Sequence, residues 1–134
     1  MKILMIDDDA DDRDIIRFSM ESINASDTIC FAEDGEQALT ILQDDDIALS
    51  PVPQLIVLDL NMPRMDGTET LRSLKQDERF KNIPVIIYST SINPFEKETC
   101  MELGAHSFVT KPISYQESLD IANAFLRFIV PAGK

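Results

Sequence analysis

The sequence predicts an α/β domain built on a five-stranded parallel sheet, strand order 2-1-3-4-5, with helices on both faces. Three observations predict it. Strand-like and helix-like stretches alternate five times along the chain, a pattern that specifies parallel strands joined by right-handed crossovers. The central run, Leu55 to Leu58, is apolar without polar alternation, as a strand buried on both faces must be. Several strand candidates also stop abruptly at side chains capable of chemistry. In the 2-1-3-4-5 order the topological switch point lies between strands one and three, where such sheets bind ligands.

Taken in order, Lys2 to Ile6 is a buried strand that ends in Asp7-Asp8-Asp9. Asp11, Asp12 and Asp14 then fall in the first turn of a helix running to about Asn24, where the helix dipole favours negative charge. Ile16, Met20 and Ile23 form its apolar stripe. Thr28 to Ala32 is the second strand, followed by Asp34-Gly35 and a short helix with Ala38, Leu39, Ile41 and Leu42 inward. Asp44 to Gln54, with Pro51 and Pro53, reads as the longest connection, with room for one helical turn. Strand three delivers Asp59 to Met62-Pro63, and Asp66-Gly67 turns the chain into a helix marked by Leu71 and Leu74. Ile83 to Tyr88 is the fourth strand, ending at Ser89-Thr90-Ser91. The fourth helix starts near Pro94 and closes at Gly104. Strand five, Ser107 to Thr110, stops at Lys111-Pro112, and a last helix spans about Ser114 to Phe128, with Leu119, Ile121, Ala122, Phe125 and Leu126 inward.

At 134 residues and 44% apolar composition, the chain is expected to be one domain over residues 1–134, without linker, repeat or output domain. Of 24 acids, 14 lie in residues 1–46 beside only 3 bases, so nearly all of the net charge of -12 belongs to the N-terminal third. That surface repels phosphate backbones, which argues against direct nucleic-acid binding, and it suits a divalent cation or a basic partner surface. Cys30 and Cys100 are too few and too distant in sequence for a disulfide framework or metal cluster, and read as core or near-core thiols. No run has membrane-spanning length, and the expected location is the cytoplasm.

The predicted order brings Asp7, Asp8 and Asp59 to one edge. Like-charge pairs at about 4 Å repel by up to about 4 kcal/mol at an effective dielectric near 20, a repulsion that a hard divalent cation removes. Carboxylates, a carbonyl and waters describe a Mg²⁺ site, and no His/Cys cluster competes. Ser89 and Lys111 end neighbouring strands, and a hydroxyl and an ammonium are what a phosphoryl group on Asp59 requires. An aspartate is a competent covalent phosphoryl acceptor.

These residues carry a resemblance. Ile6-Asp7-Asp8, then Leu58-Asp59-Leu60-Asn61-Met62-Pro63 with Met65-Asp66-Gly67, then Ser89, then Lys111-Pro112 resemble, in that order, the response-regulator receiver domains of two-component signalling. The resemblance implies a flavodoxin-like receiver fold. It implies that Asp59 accepts a phosphoryl group from the phosphohistidine of a sensor histidine kinase or phosphotransfer protein. It implies Mg²⁺ held by Asp8, Asp59 and the backbone carbonyl of Asn61, with Asp7 acting through water. Lys111 would pair with the phosphoryl oxygens, and Ser89 would swing toward them while Phe108 moves inward. A cis Lys111-Pro112 bond is typical of the family, and such a protein is a regulator rather than an enzyme, with slow self-dephosphorylation. Output would pass through a downstream protein or a homodimer. The loop before strand three and the 77–84 segment resemble, more loosely, the small regulators paired with phytochrome-type kinases.

Thr90 stands where the family usually has Ala or Gly, which narrows access to the acceptor, and Asp9 turns the acidic pair into a triplet assigned to the loop or helix start. Asp66 reads as turn chemistry, His106 as an exposed loop residue, and Tyr88 as core packing. Two other functions stand as alternatives. An Asp-nucleophile, Mg²⁺-dependent phosphohydrolase would commonly place a second aspartate where this chain has Asn61. A degenerate docking module would not need the intact Asp8, Asp59, Ser89 and Lys111 set.

Overall fold

The computed structural model describes residues 2–43, 52–60, 66–90 and 93–129. Its strands are β1 (Ile3–Ile6), β2 (Ile29–Ala32), β3 (Leu55–Leu58), β4 (Val85–Ser89) and β5 (Ser107–Thr110). The helices are α1 (Ala10–Ser22), α2 (Gly35–Gln43), α3 (Gly67–Gln76), α4 (Pro94–Glu102) and α5 (Tyr115–Leu126). The sheet order is β2-β1-β3-β4-β5 and every neighbouring pair is parallel, as the sequence predicts.

β1, β3 and β4 are buried along their whole length, and their alternating side chains feed two cores. Ile3, Met5, Leu55, Val57, Ile86 and Tyr88 pack with Ile16 and Met20 of α1 and with Ala122 and Phe125 of α5. On the other face Leu4, Ile6, Ile56, Leu58, Val85 and Ile87 pack with residues of α2, α3 and α4, among them Ala38, Leu74 and Cys100. Burying one such side chain is worth about 1.5–3 kcal/mol, so the three central strands anchor the fold from both sides.

Helix starts follow from capping side chains. Asp9 accepts from the amides of Asp11 and Asp12 at α1, and Asp66, Asn93 and Ser114 cap α3, α4 and α5 in the same way. The turn role expected of Asp66 is thus a helix cap. Beyond the ends of α1 and α4, Asn24 and Gly104 adopt left-handed backbone, φ 58 and φ 104.

Boundaries differ from expectation for local reasons. β4 begins at Val85 rather than Ile83, because Pro84 has no N–H to enter a ladder; its carbonyl still accepts from Ile56. A 3-10 turn, Ser26–Thr28, delays β2 by one residue. In α5, Ala122 and Phe125 are buried, whereas Leu119, Ile121 and Leu126 are only partly so. Ser118 takes a buried position instead, its hydroxyl 3.0 Å from that of Ser19, so that α1 and α5 meet through a small polar pair. Most of the expected loop before β3 lies outside the described residues. Cys30 is half-buried and Cys100 buried, both as free thiols.

Gly67 is needed for close approach rather than for a turn. A Cβ there would lie 2.4 Å from the carbonyl oxygen of Asp59 and 2.5 Å from the Cα of Leu60, distances that backbone atoms do not tolerate. The start of α3 therefore packs directly on the end of β3. We predict that Gly67→Ala lowers unfolding free energy by about 1–3 kcal/mol, measured by urea denaturation, because β3 must shift at Asp59.

Candidate functional site

The parallel register brings the reactive strand ends to one edge. The amide of Asp59 donates to Ile6 at 2.9 Å, that of Asp7 to Ala32 at 3.0 Å, and that of Lys111 to Ser89 at 2.9 Å. Asp7 and Asp59 thus occupy the first positions beyond β1 and β3, and Lys111 the first beyond β5. Because side chains alternate across a strand, Asp7, Asp59 and Lys111 follow Met5, Val57 and Val109 onto the α1/α5 side. Ser89 follows Ile87 onto the other.

That parity decides what meets what. Lys111 Nζ lies 2.6 Å from Asp12 Oδ2, 3.0 Å from Asp7 Oδ2 and 3.6 Å from Asp59 Oδ2. The ring of Tyr88 is 5.6 Å behind it. Asp7 is fully buried and Asp59 only 4% exposed, while Asp8 is exposed. The backbone of this edge is fixed as well, because Arg13 Nη1 donates to the Asp7 carbonyl at 2.6 Å.

The electrostatics show an incompletely compensated site. Burial pushes the Asp7 carboxyl above the usual carboxylate range, against the hydrogen bond from the Asp9 amide and the attraction of Lys111. Asp7 Oδ2 has no aligned hydrogen bond, its contact with Lys111 being charge proximity alone. For Lys111, burial works against the ammonium, yet the hydrogen bond to Asp12 and the charges of Asp7 and Asp59 outweigh it and hold the group above the usual lysine range. Burial, with the charges of Asp12, Asp7 and Asp59, also pushes the Tyr88 phenol up.

Asp7, Asp8 and Asp59 can each offer one carboxylate oxygen with all three within 4.8 Å of one another. An all-oxygen set of this kind, with one buried oxygen lacking a hydrogen bond, fits a hard divalent cation. An open polar cleft of about 420 Å³ leads to it, lined by Asp8, Asp9, Asp12, Asp59, Thr90 and Lys111.

Of the residues expected from sequence, Asp7, Asp8, Asp59 and Lys111 are together at this edge. Ser89 is adjacent but fully buried, and Thr90, not Ser89, lines the cleft, as their opposite parity requires. Asn61 lies outside the described residues. Phe108 is half-buried on the α2–α4 side with Lys97 Nζ 5.6 Å from its ring centre. The cis Lys111-Pro112 bond that the resemblance implies is not present, since the described residues contain no cis peptide; trans is the lower-energy form of an X-Pro bond by about 0.5–1 kcal/mol. His106 is exposed, as expected, and stacks edge-on against Phe128. Tyr88 is core, packed edge-on against Phe125. Sequence reasoning treated Asp12 as a helix-dipole acid and gave Arg13 no role. The usable signal was the Asp9 cap, which fixes Asp12 in the first turn of α1, facing back over the strand ends.

A family model described as response regulator receiver domain matches residues 3–123. The chain belongs to that family. Among curated relatives, response regulator Rcp1 of Synechocystis is 33% identical over 110 residues, 81% of this chain and 75% of that protein. Among solved structures, the phosphorylated cyanobacterial phytochrome response regulator RcpA superposes with a TM-score of 0.82 at 30% identity, covering 94% of this chain and 91% of that one. The Mn²⁺-bound form of Rcp1 superposes with a TM-score of 0.77 at 27% identity, covering 98% and 100%. This receiver domain is therefore a signalling regulator of the two-component type. Among the described residues, no helix is long and apolar enough to cross a membrane.

The arrangement makes Lys111 the cation that holds three carboxylates at one edge. Removing one partner of a buried charge pair typically costs about 3–5 kcal/mol. Lys111→Met should accordingly lower metal-free stability by about 3 kcal/mol, with a smaller deficit when Mg²⁺ is added, as read from paired urea titrations.

Proposed function

We propose that this receiver domain is a phosphorylation switch whose acceptor is Asp59. The observation that carries the reading is the position of that carboxylate, at the floor of the polar cleft, with Lys111 Nζ 3.6 Å away. One Asp59 oxygen attacks the phosphorus of a phosphohistidine; an O–P bond forms, the P–N bond breaks, and the imidazole leaves with its electron pair and takes up a proton. Lys111 is placed to meet the charge on the transferring oxygens, which is most of what phosphoryl transfer asks of a protein.

Asp8, Asp59 and the Asn61 carbonyl would hold Mg²⁺, with Asp7 contributing through water. When bound, the ion neutralises the carboxylate cluster and offers a position to a phosphoryl oxygen. The three-carboxylate geometry and the buried Asp7 oxygen without a hydrogen bond support this reading, as does the existence of a Mn²⁺-bound form of Rcp1. Ser89 and Phe108 lie on the same side of the sheet, on neighbouring strands. Their proposed role is to shift together once Asp59 is loaded and so repack the surface of α4, β5 and α5.

Output is proposed to pass through protein contacts in the cytoplasm. An apolar cleft of about 410 Å³ beside the site, between α1 and the start of α5, supports this; it is lined by Ile15, Phe18, Ile113 and Tyr115, all exposed. Contiguous exposed apolar surface of this kind marks interaction sites. The likeness to RcpA supports a phytochrome-type sensor kinase as the phosphodonor.

With Mg²⁺ and acetyl phosphate, intact-mass measurement should show one added phosphoryl group on the wild type and none on Asp59→Ala. A product that persists in Asp59→Ala, or no product under conditions that load a control receiver, would sink the acceptor assignment; steady turnover of phosphomonoesters would favour a hydrolase. Mg²⁺ alone at a hundred times its dissociation constant should raise stability by about 2.7 kcal/mol, and Asp8→Asn should remove most of that gain.

A further inference from the structure

Among the described residues, the nearest carboxylate to Lys111 is neither the proposed acceptor nor one of the proposed metal ligands. It is Asp12, at 2.6 Å, against 3.6 Å for Asp59. The Lys111 side chain is 9% exposed and that of Asp12 23%, so this pair sits inside the cleft rather than on the open surface. Asp12 cannot easily follow a moving lysine. It lies in the first turn of α1, whose start is fixed by the Asp9 cap and by the hydrogen bond from Arg13 to the Asp7 carbonyl.

An ammonium has three donors. In the unmodified protein Asp12 takes the shortest contact with it, and Tyr88 closes off one side. A phosphoryl group on Asp59 would bring three acceptor oxygens and additional negative charge to the same ammonium.

We propose that Asp12 is a positioning residue that competes with the phosphoryl group on Asp59 for Lys111. It holds the ammonium closer to itself than to the acceptor in the unmodified state, 2.6 Å against 3.6 Å, and must release it, wholly or in part, when Asp59 is loaded. The competition stabilises the unmodified form and weakens the hold on the phosphoryl group. This inference rests on the assignment of Asp59 as acceptor. A helix-to-strand staple, the simpler role for the same ion pair, would affect folding and leave anion affinity alone.

The test uses trifluoroberyllate, which mimics a phosphoryl group on a carboxylate, titrated in Mg²⁺ and followed by fluorine NMR. Asp12→Asn removes the competitor. Asp12→Glu keeps it, and Asp11→Asn removes the same charge from an exposed neighbour in the same turn. Losing one charge-assisted hydrogen bond as competitor should tighten Asp12→Asn binding about tenfold. Asp12→Glu and Asp11→Asn should stay within about twofold of wild type. The amine nitrogen of Lys111, observed in protein labelled at lysine with nitrogen-15, should move when trifluoroberyllate binds to wild type. In free Asp12→Asn it should already lie toward the bound position.

Unchanged or weaker binding by Asp12→Asn overturns the proposal, and so does an equal gain in Asp11→Asn, which would show a general field effect. Should Asp12→Asn not fold, the wild-type Lys111 resonance decides, and its failure to move on binding is fatal to the idea. A wild type that binds no trifluoroberyllate in Mg²⁺ removes the Asp59 assignment itself, and this inference with it; a wild type that binds while Asp12→Asn gains nothing removes only the inference.

Discussion

The rest of this structure depends on how negative charge is held at the carboxyl edge of β1 and β3. Two acids there are almost wholly buried, a third is exposed beside them, and a fourth arrives from α1. In water such groups would separate. The parallel register, with the Asp59 amide bonded to Ile6 and the Asp7 amide to Ala32, does not let them. Lys111 is the counterweight, and its chemistry follows from that position. Its charge is held by carboxylates at the ends of two strands and on one helix, and its ammonium lies 5.6 Å from the centre of the Tyr88 ring.

Among the described residues Lys111 is the cation in contact with the carboxylates of this edge, with Arg13 held on the Asp7 carbonyl, and four acids gather there. Asp7 shows the consequence most directly: burial raises its carboxyl above the usual range despite Lys111 at 3.0 Å. A divalent cation and a phosphoryl group are complementary additions to such an edge. In the proposed reading the first would supply the missing charge, and the second would compete with the carboxylates for Lys111. On that reading the two ligands together would be accommodated more easily than the acidic cluster alone. That is a physical basis for a switch, because the positions of Lys111 and of the strand ends then depend on what is bound.

The scaffold explains why such tension is tolerated. β1, β3 and β4 are anchored in two separate cores, so strain at one edge cannot be relieved by tilting the sheet. Gly67 lets α3 press directly on the carbonyl of Asp59, and the Asp9 cap fixes the start of α1 over the same edge. Phe18, Phe95, Ile113 and Tyr115, by contrast, are large apolar side chains left exposed.

Strand number, sheet order, the approximate helix starts and the acids at the strand ends were legible in the sequence, because each is a local pattern. Apolar runs must be buried, whereas the start of β4 after Pro84 and the caps made by Asp9 and Asp66 emerged with the fold. Asp7, Asp8, Asp59 and Lys111 could be gathered from sequence because topology alone brings strand ends together. Side-chain parity and the pose of α1 were decided only in three dimensions. They put Thr90 rather than Ser89 on the cleft, sent Asp12 to Lys111 instead of leaving it to the helix dipole, and made Gly67 a contact point rather than a turn. The physical reason is that a strand's end can be read along the chain, whereas the face its next side chain meets depends on which helix packs there.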